Sequence, residues 1–396
     1  MPELRFLVAA FGDPGHAYPA LALARALRAR GHHVEFESWK RWREAAEEEG
    51  LRFHPAEGYR VFDTGAADGP SAGDAAVALR PLIADLRPHA VVNDILTLAP
   101  ALAAEAEGAP WATLIPHVFP EHAPGLPFFA FGGARLPRTF VGRALWTALT
   151  PLLHAGLRQG RRELNGERAK VGLPPIRHLH GGTSRELALV ATYPQLEYPR
   201  RWPAHVHVTG PMDYERPYPD VELPPGEGPL VLVAPSTAQD PESRLVRVAL
   251  RALAEEPVRV LATTNGHAPE EPIDVPGNAV LYDWVRYSQV MAAADLVICH
   301  GGHGTVARAL GLGTPVLCVP AVGDMAENAA RVAWAGAGVS LPWRLLAERS
   351  LRVAVRRMLS DPSFARRAGE IAAWARTHDG AARGAELVEA FALARA

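Results

Sequence analysis

Lysine is nearly missing from this chain. Lys40 and Lys170 are the only two, and arginine carries the rest of the positive charge. With 41 basic against 43 acidic residues the formal net charge is -2, so the chain lacks the basic excess that usually marks a nucleic-acid partner. Cysteine is equally scarce. Cys299 and Cys318 are the two present, and both lie in apolar runs that read as strands. Buried free thiols are expected, not a disulfide framework, and a cytoplasmic location fits. No apolar run reaches the ~18 residues that a membrane span needs. The most apolar stretch, residues 128–157, is broken by Arg135, Arg138 and Arg143, which argues against stable membrane insertion. The first eleven residues lead straight into a strand, so no cleavable leader is expected. Three ligand motifs are also missing. The chain has no Gly-x-Gly-x-x-Gly, no phosphate loop ending in Gly-Lys and no Asp-x-Asp. Their absence weakens a dinucleotide dehydrogenase and a P-loop nucleotidase. No histidine shows zinc-type spacing with cysteine, so no metal is expected.

What is present is alternation. A chain of 396 residues exceeds one ordinary core, and two domains of about 150–200 residues are the natural division. In the first half, strands are expected at residues 5–10, 34–37, 51–54, 89–93 and 111–115. Helices fall between them at 17–30, 39–49, 74–86 and 97–107. Residues 116–149 are rich in Pro, Gly, Phe and Trp and only weakly periodic. A helix at 151–171 and a strand at 187–192 follow. The stretch 210–229 is dense in proline and reads as a linker. Beyond it come strands at 230–234, 258–262, 279–281, 295–299 and 315–319, a helix at 242–254, and three closing helices within 342–359, 363–376 and 381–396. Alternation in both halves predicts two open α/β sheets.

Doubly wound sheets bind ligands beyond the carboxyl ends of their strands, where strands one and four diverge. In the first half, that rule brings His16, in the turn after strand one, beside Asp94, after strand four. His16 opens a helix, whose positive end disfavours an imidazolium, so a neutral, proton-accepting ring is expected. Asp94 would hold its other nitrogen. The bland alternative makes both residues helix caps. In the second half, the rule places Ser236 and Thr237 beside the turn His300-Gly301-Gly302-His303-Gly304-Thr305. Glycines let a backbone approach a ligand, and a helix N-terminus offers N–H groups to an anion such as a diphosphate. Trp284, in a loop at the same edge, suits stacking on a base, or else a core. Asp324 suits sugar hydroxyls, or else a helix cap.

These residues, in this order, resemble the family 1 glycosyltransferases of GT-B fold, above all the bacterial enzymes that glycosylate macrolides and other natural products. The resemblance runs through nearly the whole chain. It rests on Gly15-His16-x-x-Pro19, Val91-Val92-Asn93-Asp94, Trp284-Val285, the His300–Thr305 turn and Gly323-Asp324-x-x-x-Asn328-Ala329. It implies two Rossmann-like domains of parallel sheet facing across a cleft. Residues 1–212 would form the acceptor domain, joined by a final helix at 380–396. Residues 213–228 would be the linker and 229–379 the donor domain. It implies metal-independent inverting transfer, with His16 as base and Asp94 as its partner. Trp284 would stack on the nucleobase and Val285 touch it through its backbone. His300, Gly301, Gly302, Gly304 and Thr305 would hold the diphosphate, assisted by Ser236 or Thr237. Asp324, Met325 and Asn328 would face the sugar. The implied partners are a UDP- or dTDP-sugar as co-substrate, with no other cofactor, and a hydrophobic natural-product aglycone. That aglycone would meet Pro14, His117, Phe119, Phe128 and Trp146. A monomer or homodimer is expected.

Two positions depart from the family. Arg286-Tyr287 stand where Pro-Gln is common, and Met325 stands where glucosyl-transferring members often have Gln. A thioether cannot make an amide's hydrogen bonds to sugar hydroxyls, which points toward a deoxysugar. Two other readings share this architecture. A nucleotide-sugar 2-epimerase would turn over without acceptor, and a catalytically silent nucleotide-sugar binder would show no slow donor hydrolysis.

Overall fold

The structure is a computed structural model and describes residues 2–56, 69–236, 240, 242–267, 269–321 and 324–395, with Ala130 described by its backbone only. The first half begins β1 (Arg5–Ala9), α1 (Pro14–Ala29), β2 (His33–Ser38), α2 (Arg43–Glu48), β3 (Arg52–Pro55), α3 (Ala72–Leu86), β4 (Ala90–Asp94), α4 (Leu98–Ala106) and β5 (Trp111–Ile115). After an irregular stretch come α5 (Phe140–Ala148), α6 (Thr150–Lys170), β6 (Ala188–Val190) and β7 (Val206–Val208). The second half holds β8 (Leu230–Ala234), α7 (Arg244–Leu253), β9 (Arg259–Thr263), β10 (Ala279–Tyr282), α8 (Tyr287–Ala293), β11 (Leu296–Cys299), α9 (His303–Gly311), β12 (Val316–Cys318), α10 (Asp324–Ala335) and β13 (Gly338–Ser340). Three helices close the chain: α11 (Glu348–Ser360), α12 (Pro362–Ala375) and α13 (Gly380–Leu393).

Each half forms one parallel sheet, ordered β3-β2-β1-β4-β5-β6-β7 and β10-β9-β8-β11-β12-β13. Strands one and four of each half are hydrogen-bonded neighbours, with Ala9 opposite Asn93 and Ala234 opposite Cys299. Both sheets are covered on two faces, so their strands read as unbroken apolar runs such as Leu230–Ala234. Cys299 and Cys318 lie opposite each other on β11 and β12, buried and reduced.

Two edge strands escape the sequence pattern. Val206–Val208 and Gly338–Ser340 are each three residues long and show no period of their own. They exist because a paired neighbour, β6 or β12, offers a free edge. Helix α5 also lies in the stretch that shows little periodicity, for a reason taken up below.

The two halves are tied together. Ala381, Ala385, Val388 and Phe391 of α13 join the first core with Phe6 and Leu21. Met212 and Tyr214 are buried in that same core, while Val221 and Leu223 pack on a core of the second half. The proline-dense stretch is therefore strapped to both sides, with the Arg259 guanidinium donating to the Pro224 carbonyl. No helix among the described residues is long and apolar enough to cross a membrane.

Candidate active site

His16 is the third residue of α1. Asp13 is the N-cap and Pro14 the first helical residue, a place that proline suits because its missing N–H would go unused there. Asp94 ends β4, and the N-cap of α4 is Thr97. Neither His16 nor Asp94 is a helix cap. Instead they meet, with His16 Nδ1 2.8 Å from Asp94 Oδ2. Asp94 is fully buried, and its Oδ1 accepts the Leu96 N–H at 2.8 Å. The imidazole Nε2 has no partner among the described residues and turns to the cleft. Phe11 packs edge-on to the ring at 5.8 Å between centroids, and His117 does so at 6.3 Å. Phe11 is held in turn by Trp39, which lies so close to Gly12 that any side chain there would overlap the indole.

The expectation of a helix-end imidazole tending to neutrality is revised. Burial lowers the affinity of His16 for a proton. The charge and hydrogen bond of Asp94, helped by Asp324 and Asp13, outweigh that, and its pKa is raised above 6.5. A full carboxylate in contact exceeds the partial charge of a helix end. Buried His117 moves the other way, lowered by burial and by His16.

Across the cleft, the turn after β11 is shaped by two glycines. Gly301 has φ of +86°, and a Cβ there would lie 2.9 Å from the Met325 carbonyl oxygen. At Gly302 a Cβ would collide with the His300 ring. Gly304 has open space beside it. Gly302 caps α9 without a side-chain hydrogen bond, which leaves first-turn N–H groups for a ligand. Burial lowers the His300 pKa, against weaker raising effects that include Asp324, so its ring is a neutral hydrogen-bonding group. Asp324 begins α10 and acts through space on His16, His117, His300 and His303. One carboxylate thus faces the imidazoles of both halves. Among the described residues, no group of three His, Cys, Asp or Glu side chains gathers as a metal site.

Several sequence expectations change here. Phe119 is only 2 % exposed and packs with Ile115 and Trp202, away from the cleft. It belongs to the core because the chain leaving β5 continues over the sheet face. Phe128 is equally buried, at the centre of an aromatic group with His122, Phe131 and Trp146. Phe131 is the exposed member, and Trp146 and His122 are half-buried. Buried His117 stacks on Phe129 at 5.3 Å and lies beside His16, and half-buried Pro14 opens the helix that carries His16. Asn328 is buried, and its amide donates to the Gly301 carbonyl at 3.0 Å and to Asp324 Oδ2 at 3.2 Å. It braces the turn and the carboxylate and is not exposed to a ligand. The Val285 side chain is in the core, which leaves only its backbone for contact. Trp284 is half-buried and Ser236 is buried at the end of β8. Met325 and Thr305 are half-buried. Thr237 lies outside the described residues.

The departure at Arg286-Tyr287 has a structural use. Arg286 pairs with Asp220 at 2.5 Å. Buried Tyr287 bonds through its hydroxyl to Thr263 and Asn265, and Asn265 also donates to the Pro235 carbonyl at 2.7 Å. These bonds tie Arg286 and Tyr287 into the fold around the ends of β8 and β9. Asn265 escapes sequence reasoning, and its only signal is a Thr-Asn-Gly turn at the end of β9, where it adopts φ of +51°.

Further joints between the halves come from residues 191–198. His303 Nε2 meets the Ala191 carbonyl at 3.1 Å, and Tyr193 donates to the Ala307 carbonyl at 3.0 Å. Burial pushes the His303 pKa down to about 4. A cavity of about 950 Å³ opens beside this joint, walled by Pro19, Pro116, His303, Gly304 and Arg308. It reaches the glycine turn from one flank only, without touching His16 or Trp284.

Two family models match in tandem. Residues 6–112 match the glycosyltransferase family 28 N-terminal domain, and residues 247–384 the erythromycin biosynthesis protein CIII-like C-terminal domain. The 4'-demethylrebeccamycin synthase of Lentzea aerocolonigenes is 32% identical over 91% of this chain and 93% of its own. The chain belongs to the natural-product glycosyltransferases. The O-mycaminosyltylonolide 6-deoxyallosyltransferase of Streptomyces fradiae is 28% identical to this glycosyltransferase over 99% of the chain and 98% of its own length. Among solved structures, the glycosyltransferase of kitacinnamycin superposes with a TM-score of 0.80 at 21% identity, covering 99% of this chain and 100% of that one. The glycosyltransferase VinC, in complex with dTDP, does so at 0.71 and 22% identity, covering 98% and 99%. The two-sheet fold is that of the GT-B enzymes.

Proposed function

We propose that this glycosyltransferase moves a deoxysugar, with inversion, from a nucleoside diphosphate to a hydroxyl of a hydrophobic aglycone. The contact that carries the reading is His16 Nδ1 to Asp94 Oδ2 at 2.8 Å, which leaves Nε2 for the acceptor. Residues 1–212 with 380–396 would hold the acceptor, and 229–379 the donor, across a linker at 213–228. His16 Nε2 takes the proton of the acceptor hydroxyl. The oxygen attacks the anomeric carbon in line, and the bond to the diphosphate oxygen breaks with its electron pair on the leaving group. Asp94 orients the ring and balances the imidazolium. The N–H groups of Gly304 and Thr305, with the Thr305 and Ser236 hydroxyls and His300, meet the leaving charge without a metal. Thr237 would join them. Trp284 stacks on the base and Asp324 faces the sugar.

The deciding experiment is a donor-by-acceptor matrix read by mass spectrometry, with the anomeric configuration of each product assigned by NMR. A product of opposite configuration to its donor, formed best from dTDP-deoxysugars, is expected. Clear preference for UDP-glucose would sink the deoxysugar assignment, and retention would sink the mechanism.

The proton balance at His16 gives a second test. The base must be neutral, so kcat/KM rises with pH through the raised His16 pKa. In Asp94→Asn the raising charge is gone and burial dominates. The acid limb should then move about 1 pH unit or more to lower pH, while the plateau falls roughly 100-fold because the imidazolium loses its partner. An unmoved acid limb would separate Asp94 from the reaction.

A further inference from the structure

We propose that the nearly continuous α5–α6 helical segment, interrupted only at Leu149, is a docking surface for an anionic lipid bilayer, a role that does not depend on the active-site reading. Surface helices normally turn their polar side to water. Helix α5 does the reverse. Phe140, Val141, Ala144, Leu145 and Ala148 share one broad arc of the helix, and all are exposed, Phe140 by 83 % and Leu145 by 60 %. The opposite side, with Trp146 and Gly142, faces the protein. No residue of α5 is buried. The start of α6 continues the surface with exposed Leu152, Ala155 and Gly156.

The charge around this surface selects the occupant. From residue 122 to residue 162 there are six arginines and no aspartate, glutamate or lysine. Arg135, Arg138, Arg143, Arg158 and Arg162 are exposed, and among the described residues none of them forms an ion pair. An apolar arc with flanking unpaired arginines is the pattern of a helix lying in the plane of an anionic interface. Its apolar side chains enter the headgroup boundary and its arginines meet the phosphates. A second copy of the chain would bring the same positive charge against itself, which opposes self-association through this face.

The test is co-sedimentation of the full chain with vesicles of phosphatidylcholine alone, or with about 30 mol % phosphatidylglycerol, at low and high salt. Pelleting with the anionic vesicles at roughly ten times the neutral partition, weakened by salt, is expected. The triple variant Phe140→Ser, Leu145→Ser, Leu152→Ser should lose that binding. The triple variant Arg138→Gln, Arg143→Gln, Arg158→Gln should lose the anionic preference. All six side chains are exposed, so both variants should melt with the parent by circular dichroism. Protein that stays in the supernatant with both vesicle types overturns the proposal, as does pelleting that neither variant changes. So does a dimer in sedimentation velocity that the serine variant dissociates, since the face would then belong to a second copy.

Discussion

Replacing His16 by alanine should lower kcat by about 10³-fold or more, which corresponds to roughly 4 kcal/mol of lost transition-state stabilisation. The size follows from what the ring does. It is the group aimed at the cleft whose other nitrogen is held by a buried carboxylate, 2.8 Å away. Without it, the acceptor proton has no base within hydrogen-bond reach. His117, the next imidazole at 6.3 Å between centroids, is buried and committed through Nδ1 to the Val118 carbonyl. Donor affinity should be unchanged, because the glycine turn and Trp284 belong to the other half. Isothermal titration with the nucleoside diphosphate, beside product formation followed by mass spectrometry, makes that split visible. A variant that keeps a tenth of the parent's turnover would remove His16 from the base role. Parallel loss of donor binding would point to a collapsed cleft instead.

Arg331→Met should destabilise the fold by about 3–5 kcal/mol, because it leaves two carboxylates buried without their cation. Arg331 on α10 bonds through Nε to Glu327 Oε1 at 2.8 Å and through Nη1 to Glu197 Oε2 at 3.3 Å. Its guanidinium lies 3.6 Å over the Tyr198 ring. All three charged side chains are almost fully buried. Glu327 also accepts the Gly133 N–H and Glu197 the Phe119 N–H, so one guanidinium joins α10 to both ends of the irregular stretch and to the segment after β6. Burial already pushes the Glu197 carboxyl up against the pull of Arg331. Thermal melting should drop by about 4–6 °C. The triple variant Arg331→Met, Glu197→Gln, Glu327→Gln should recover more than half of that loss, since no buried charge is then unpaired. A melting temperature within about 2 °C of the parent's would show that the network contributes little.

The placement of the site was legible because it follows from local pattern and chirality. Apolar runs and helical spacing identify the strands and helices, and right-handed crossovers leave few ways to order them. Strands one and four then become neighbours, and the residues after them, His16 with Asp94 and Ser236 with the His300–Thr305 turn, are delivered to shared crevices. What the pattern could not reach is of another kind. Val206–Val208 and Gly338–Ser340 are too short to carry a period. Helix α5 is only nine residues long and follows an irregular Pro- and Gly-rich stretch, so its spacing is short and does not stand out in the surrounding sequence. Phe119 and Phe128 read as acceptor contacts because composition reports aromatic content, not the direction in which an aromatic points.

Taken alone, the sequence determined two doubly wound sheets, the family, and the placement of His16 beside Asp94 and of the His300–Thr305 turn after the strand that pairs with β8. The tertiary structure decided the state and support of those groups. It raised the His16 pKa where the helix end alone implied a neutral ring, because the Asp94 charge at contact distance exceeds a helix dipole. It turned Asn328 from a sugar contact into the brace of Gly301 and Asp324, and it tied Arg286-Tyr287, the departure from the family's Pro-Gln, to Asp220, Thr263 and Asn265. It joined the halves through Arg331, Glu197 and His303, residues with no common motif. The reason is shared. Protonation, burial and pairing depend on summed fields and contacts between groups that chain order does not bring together, and only the folded chain sets those distances.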